Sequence, residues 1–108
     1  MFYLKKRMEI AGAHHLNLPY QSKCQEVHGH NWTIVVYCKR SALDENGMIV
    51  DFTKIKEVVM QLDHTNLNDF VEQPTAENIA KFICEQIPYC YRVDVEESQN
   101  NEVSYVCE

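Results

Sequence analysis

Long apolar runs, glycine and proline are all scarce in this chain of 108 residues, and each scarcity excludes a class of protein. No stretch of about 18 apolar residues is present, so we expect no membrane-spanning helix. With only three glycines and three prolines, the chain contains no segment typical of a flexible linker or a low-complexity repeat. Length and composition together predict a single domain over residues 1–108.

Basic residues are also fewer than acidic ones. The 16 Asp and Glu residues outnumber the 10 Lys and Arg residues, which gives a formal net charge of -6. A general nucleic-acid-binding protein usually carries a basic surplus, so we expect neither nucleic acid nor a membrane as a partner. A small anionic substrate held by a few local bases is compatible with this charge.

The five cysteines show no paired spacing, and no Cys-x-x-Cys motif of a structural zinc site is present. Residues 1–7 place their charges after their apolar side chains, which reverses the order of a secretory signal peptide. We therefore expect a cytoplasmic protein with reduced thiols. Four cysteines lie in periodic segments and are interpreted as small buried side chains, namely Cys38, Cys84, Cys90 and Cys107.

Hydrophobic periodicity predicts the element order β-β-α-α-β-β and an α+β fold. One helix is expected to begin near Asp51 and the other after Thr75, which is a good N-cap residue. Two helices of this length can cover one face of a four-stranded antiparallel sheet. The other face carries Val35 and Tyr37 and would need a partner, which favours an oligomer. The expected strands are 2–12, 30–40, 89–98 and a short last strand near 103–107.

Four of the five histidines fall between positions 14 and 30, and this clustering predicts a metal site. His28 and His30 open a strand two residues apart, so both side chains project to one face. A third ligand is expected from His14 or His15, of which only one can point the same way. Three neutral imidazoles with one open position are typical of a catalytic Zn²⁺ site. On spacing alone, a polar turn and a surface histidine pair explain the pattern equally well.

Four further positions carry polar side chains that suggest a function. Cys24 lies in a polar loop four residues before His28, where a thiol can act as nucleophile, base or fourth metal ligand. Asp63 precedes His64, and a carboxylate beside an imidazole can fix its tautomer for proton transfer. A histidine that merely sits favourably near a helix C-terminus is the alternative. Glu97 continues an apolar strand face, which is costly unless the carboxylate is paired or the strand frays before it.

Six segments in this order resemble the 6-pyruvoyl-tetrahydropterin synthase superfamily over nearly the whole chain. They are AHHL at 13–16, CQEVHGHN at 24–31, IVDF at 49–52, LDH with LN at 62–68, PTAEN at 74–78 and VEE at 95–97. The similarity is greatest to the bacterial branch that acts in queuosine biosynthesis, because three residues separate Cys24 from His28. The 6-pyruvoyl branch typically has a longer insert there. Another branch replaces the thiol by a glutamate, a weaker match here because Cys24 is present beside Glu26.

The resemblance implies a tunnelling fold of β-β-α-α-β-β subunits, assembled as a homo-hexamer from two trimers with active sites at the subunit interfaces. It implies a Zn²⁺ cofactor and a small pterin triphosphate as substrate. The zinc ligands would be His14, His28 and His30, which selects His14 over His15.

The resemblance also implies roles for the remaining polar positions. Cys24 would be the catalytic thiol, and Asp63 with His64 would be the proton-relay pair. Glu97 would bind the amino and ring N–H groups of the pterin, and the segment near the pterin pocket would include Thr75 and Glu77. The implied activity is a zinc-dependent carbon–carbon lyase that forms 6-carboxytetrahydropterin. The alternatives are triphosphate elimination alone, as in the 6-pyruvoyl branch, or a non-catalytic metal-binding oligomer.

Overall fold

The computed structural model describes residues 1–107 as one five-stranded sheet with two α-helices. The order of the strands across the sheet is β3-β1-β2-β4-β5. Their bounds are β1 (Phe2–His14), β2 (His28–Arg40), β3 (Thr65–Asn66), β4 (Cys90–Ser98) and β5 (Asn101–Val106). The helices are α1 (Phe52–Met60) and α2 (Ala76–Gln86).

Both helices begin where the sequence predicts. The carboxylate of Asp51 accepts a hydrogen bond from the backbone of Thr53, and the hydroxyl of Thr75 accepts one from the backbone of Asn78. These caps satisfy backbone N–H groups that have no partner within the helix. The helices bury their apolar stripes against one face of the sheet. The core there includes Trp32, Ile34 and Val36 from the sheet and Ile55, Val59, Ile79 and Ile83 from the helices.

The α+β prediction is confirmed, although the sheet has one strand more than the four that periodicity predicts. The additional strand, β3, pairs in parallel with β1 through Gly12 and Ala13. Two residues are too few to produce a hydrophobic period, so no sequence pattern indicates this strand. It holds the segment after α1 against the end of β1.

The two long strands extend further than expected, and the extension includes the histidines. β1 continues to His14 and β2 begins at His28, and these two residues face each other in the antiparallel register. Gly12 pairs with His30 two residues further along. The sheet itself therefore fixes the relative positions of all three side chains.

The sheet face away from the helices is more polar than Val35 and Tyr37 suggest. Asp94, to which sequence reasoning gave no role, is only 4% exposed on this face. Its carboxylate accepts hydrogen bonds from the side chains of Tyr37, Arg92 and Ser104. This buried network stabilises the outer face in place of apolar contacts.

One expectation for the cysteines is wrong. Cys38 and Cys84 are buried and Cys90 is half-buried, but Cys107 is exposed. It follows the last residue of β5, which is an edge strand, so no neighbouring strand covers it. Within residues 1–107, neither helix has the length and apolar character needed to cross a membrane.

Candidate metal centre and active site

Three histidine rings and one carboxylate meet at one end of the sheet. The ring centroids of His14 and His28 are 4.5 Å apart, and that of His30 lies 5.3 Å and 4.8 Å from them. One ligand atom from each of these residues and from Glu97 lies within 4.8 Å of the other three. We call this group the histidine cluster. The structure brings His14 and not His15 into it.

Backbone carbonyls orient two of the rings. Nδ1 of His14 lies 2.7 Å from the carbonyl oxygen of Pro74, and Nδ1 of His28 lies 2.7 Å from that of Glu26. A carbonyl oxygen only accepts, so each Nδ1 carries the proton and each Nε2 keeps a lone pair. Nε2 of His14 is buried and makes no hydrogen bond within residues 1–107, although the Glu97 carboxylate lies 3.0 Å away. A buried lone pair in this position is suited to an electron-pair acceptor such as a metal ion.

The donor set fits a zinc ion. Burial lowers the pKa of His14, although the Pro74 carbonyl and the Glu97 carboxylate act in the opposite direction. The ring is therefore neutral near pH 7, which is the form that binds metals. Imidazole nitrogens with a carboxylate oxygen are ligands that Zn²⁺ accepts in tetrahedral geometry.

Trp32 forms the base of the histidine cluster, a role that sequence reasoning missed. The fully buried indole donates from Nε1 to the carbonyl of Gly12 at 3.1 Å. Its ring centroid lies 4.9 Å from that of His14 and 5.4 Å from that of His30, both edge to face. The sequence does indicate that Trp32 lies beside the histidines, because it is the next residue on the same strand face after His28 and His30.

Cys24 lies beside the histidine cluster in sequence but is not one of its four members. It sits in a short 3-10 turn, Lys23–Gln25, where Ser22 caps its backbone N–H. Its carbonyl accepts a hydrogen bond from the backbone of Leu16 at 2.6 Å, which ties the turn to the segment just after His14. The half-buried thiol is therefore available for a role other than metal binding.

Asp63 and His64 form the predicted pair beyond the end of α1. Oδ2 of Asp63 lies 2.9 Å from Nδ1 of His64, and Oδ1 accepts a hydrogen bond from the backbone of Ala11 at 2.9 Å. The Ala11 N–H, aided by His64, lowers the pKa of Asp63. The His64 side chain is 81% exposed. Its backbone has φ 57° and donates to the carbonyl of Ala11, which fixes the pair beside β1.

His64 and one member of the histidine cluster, His30, border the same open cavity. This cavity has a volume of about 520 Å³, and Ala11, Ala13 and Asn31 also line it. Ala11, Ala13 and Asn31 alternate with the cluster residues along their strands, so their side chains lie on the other face of the sheet. Across residues 1–107, no hydrogen bond or ion pair joins Asp63 or His64 to the cluster or to Cys24.

The three residues expected to contact a pterin line a single cavity. Thr75, Glu77 and Glu97 border a volume of about 300 Å³ next to the histidine cluster. β4 continues to Ser98, so the strand does not fray before Glu97. The register with β5 shifts between Glu96 and Ser98, which makes Glu97 the extra residue of a β-bulge. Bulges redirect side chains, and this one directs a carboxylate toward the histidines.

Comparisons with known proteins show the family of the chain. Residues 3–108 match the family described as PTPS: 6-pyruvoyl tetrahydropterin synthase. The chain is 31% identical over 123 aligned positions to the 6-carboxy-5,6,7,8-tetrahydropterin synthase of Bacillus subtilis, covering 96% of this chain and 84% of that protein. It is 45% identical over 67 residues to a putative 6-carboxy-5,6,7,8-tetrahydropterin synthase of Archaeoglobus fulgidus, covering 58% of this chain and only 57% of that relative's length.

The structural comparison gives the same result. The 6-pyruvoyl tetrahydropterin synthase of Caenorhabditis elegans superposes with a TM-score of 0.77 at 25% identity, covering 99% of this chain and 96% of that one. The chain therefore belongs to the 6-pyruvoyl tetrahydropterin synthase family. Members of this family are lyases that act on pterins.

Proposed function

We propose that the protein is a zinc-dependent 6-carboxytetrahydropterin synthase. It would convert 7,8-dihydroneopterin triphosphate to 6-carboxy-5,6,7,8-tetrahydropterin, with release of acetaldehyde and triphosphate, as a step toward queuosine and related 7-deazaguanines. The observation that carries the proposal is the convergence of His14, His28 and His30 beside a cavity of pterin size. The activities for which the Bacillus and Archaeoglobus relatives are named support the choice of product.

The histidine cluster would hold the metal. When bound, the zinc ion supplies a Lewis acid that makes the protons beside the hydroxyls of the substrate side chain more acidic. The contribution of the chain is to present three Nε2 lone pairs, two of them fixed by the Pro74 and Glu26 carbonyls. The buried Trp32 packs edge to face against the rings of His14 and His30 and holds them in place.

Two groups of the chain would move protons. The thiolate of Cys24 would take and return a proton on one face of the substrate side chain. His64 would do so on the other face through Nε2, because Asp63 engages its Nδ1. A carboxylate behind an imidazole fixes the tautomer and stabilises the protonated ring.

The pterin ring would bind in the cavity of Thr75, Glu77 and Glu97. A pterin presents an exocyclic amino group and a ring N–H on one edge, and a carboxylate accepts from both at once. Charge-assisted hydrogen bonds of this kind are shorter and stronger than neutral ones. We assign this contact to Glu97.

A complete site would need more than one chain. The exposed His64 makes no hydrogen bond or ion pair with the histidine cluster within residues 1–107, so a neighbouring subunit is the natural recipient of the relay pair. Both sheet edges are open to such a neighbour, since β5 pairs only with β4 and β3 covers only two residues of β1. We propose a homo-hexamer, built as a dimer of trimers with active sites at the interfaces.

Triphosphate elimination without carbon–carbon cleavage is the second candidate function. The superposition on the Caenorhabditis 6-pyruvoyl tetrahydropterin synthase favours it, because the match covers almost the whole of both chains. The same metal, thiol and relay groups would serve that reaction. The two candidates differ in whether acetaldehyde is a product.

The proposal is tested by metal removal and return. The purified protein is stripped with a chelator, incubated with dihydroneopterin triphosphate, and assayed for triphosphate before and after one equivalent of Zn²⁺ per chain is added. We expect turnover only with the metal present. Absence of triphosphate from the fully zinc-loaded protein would contradict both candidate reactions and favour a non-catalytic metal-binding oligomer.

A further inference from the structure

Glu97 borders two sites at once, the histidine cluster and the neighbouring cavity. We propose that its carboxylate is the fourth ligand of the metal while the cavity is empty, and that it leaves the metal for the pterin when the cavity is filled. The inference rests on the proposed function for the metal and for the class of substrate. It adds a role for Glu97 in the substrate-free protein.

The distances from Glu97 to two of the histidines are close to those between neighbouring ligands of a four-coordinate ion. Oε1 of Glu97 lies 3.0 Å from Nε2 of His14 and 3.5 Å from Nε2 of His30. Tetrahedral bonds of about 2.0–2.2 Å place neighbouring ligand atoms roughly 3.3 Å apart. The measured distances lie on either side of this value. The carboxylate is therefore already at a ligand position.

The chemistry of the facing atoms also requires a cation. Nδ1 of His14 donates to the Pro74 carbonyl, so its Nε2 presents a lone pair toward the Glu97 oxygen. A lone pair and a carboxylate oxygen repel each other at 3.0 Å, and they make no hydrogen bond here. A metal ion between them turns this repulsion into two favourable contacts.

The β-bulge explains how one carboxylate can serve two sites. Glu97 is the unpaired extra residue between Glu96 and Ser98, so its backbone is not fixed by the ladder hydrogen bonds of its neighbours. Its side chain is 31% exposed and lines the cavity together with Thr75 and Glu77. A change of side-chain rotamer would move the carboxylate from the metal toward a bound pterin.

The consequence is a site that opens only to the correct ligand. With Glu97 bound, four protein groups surround the metal and no position is open. A pterin that engages Glu97 in the cavity frees one position beside itself. Recognition of the ring would thus precede access of the substrate side chain to the metal.

The test uses Co²⁺, whose visible absorption reports coordination, in the full-length protein. Wild type, Glu97→Gln and the control Glu96→Gln are loaded with Co²⁺, and their spectra are recorded before and after addition of 6-methylpterin. This probe carries the pterin edge but has no side-chain hydroxyl or phosphate that can bind metal. Zn²⁺ affinity is measured in parallel by competition with a chelator, without substrate.

We expect Glu97→Gln to change the Co²⁺ spectrum and to weaken Zn²⁺ binding about 10- to 100-fold, a range that even groups behind the ligands produce. Glu96→Gln should match wild type, because Glu96 lines the outer-face cavity instead. The probe should alter the wild-type spectrum and not that of Glu97→Gln. If Glu97→Gln does not fold, the response of wild type to 6-methylpterin decides the question.

Two results would overturn the inference. One is an unchanged spectrum and Zn²⁺ affinity in Glu97→Gln, which would show that Glu97 is no ligand. The other is a wild-type spectrum that does not respond to bound 6-methylpterin, which would show that the carboxylate never leaves the metal. If both effects appear but dihydroneopterin triphosphate is not turned over, the proposed reaction fails and the assignment of Glu97 stands.

Discussion

Oδ2 of Asp63 lies 2.9 Å from Nδ1 of His64, so the carboxylate holds the imidazole by one nitrogen and leaves the other free. The second oxygen of Asp63 is bound to the backbone of β1, which anchors the pair to the sheet. The His64 ring is therefore oriented although it is mostly exposed. An exposed side chain in a fixed orientation, such as that of His64, can act on a substrate that another chain binds.

Replacement of this pair should remove catalysis and leave the metal in place. We expect His64→Ala to lower turnover about 10²–10⁴-fold, the usual contribution of a positioned acid–base group. Asp63→Asn should lower it as well, since the tautomer is no longer fixed. Asp69→Asn, a nearby exposed carboxylate, is the control. The measurements are steady-state kinetics and zinc content for each variant. Unchanged turnover in His64→Ala would exclude the pair from the mechanism.

Mixed oligomers test whether the site is shared between chains. Cys24→Ala and His64→Ala proteins, each inactive alone, are co-expressed and the hybrid is assayed. If each site takes its thiol from one chain and its relay pair from another, random assembly restores about a quarter of the wild-type activity. A hybrid as inactive as its parents would place both groups in the same chain.

The metal assignment predicts which histidines matter for zinc. His28→Ala and His30→Ala should lose stoichiometric Zn²⁺ under mild chelation, since each contributes one of three imidazole ligands. His14→Ala should lose it too, with an added loss of stability because its ring is buried. His15→Ala and Cys24→Ala should keep the ion, as measured by elemental analysis. Zinc lost from His15→Ala but kept by His14→Ala would reverse the assignment.

Cys24 should be the only cysteine required for turnover. Cys24→Ala is expected to keep its fold, metal and substrate binding while turnover falls about 10²–10⁴-fold. Cys107→Ala is a matched control because this thiol is exposed and outside the site. Cys38→Ala and Cys84→Ala remove buried side chains and should mainly lower the free energy of unfolding. Normal turnover in Cys24→Ala would exclude the thiol as a catalytic residue.

Asp94 should make the stability of the fold depend on pH at the acid end. Burial raises its pKa, but hydrogen bonds from Arg92, Ser104 and Tyr37 outweigh burial and leave it below the usual 3.8. Since the folded-state pKa is the lower one, the stabilisation is present above about pH 4 and is lost as the pH falls below it. Asp94→Asn should lower the free energy of unfolding by about 1.5–3 kcal/mol at pH 7.

Chemical denaturation of wild type and Asp94→Asn at pH 7 and pH 3 checks this expectation. The difference between the two proteins should shrink at the lower pH, because Asp94 of the unfolded chain is then mostly protonated and the stabilisation from its lowered folded-state pKa is being lost. Ser104→Ala, which removes one of the hydrogen bonds to Asp94, should show a smaller loss. A difference that is the same at both pH values would mean that the charge of Asp94 contributes nothing.

Local sequence patterns predicted the parts of the structure that depend on neighbours along the chain. The caps at Asp51 and Thr75 and the alternation of β2 are of this kind, and so is the placement of His28 and His30 on one face. Contacts between distant segments were not predictable in this way. The carbonyl of Pro74 orients His14 across 60 residues, and β3 is too short to have a period. The buried role of Asp94 likewise depends on partners in two other strands.

The position of Glu97 in the site was likewise predictable only in part from the sequence. Its position on an apolar strand face indicated a ligand or a partner, and the structure places it against His14. Strand alternation alone does not reveal the bulge that points the carboxylate there, because the bulge arises from the register with β5.

The most direct test of the central claim is the ratio of acetaldehyde to triphosphate released from dihydroneopterin triphosphate by the zinc-loaded protein. The proposed carbon–carbon lyase releases one molecule of each per turnover, so we expect both to appear together at equal rates. Cys24→Ala should release neither at a comparable rate. Triphosphate without acetaldehyde would contradict the account and assign the protein to the 6-pyruvoyl reaction.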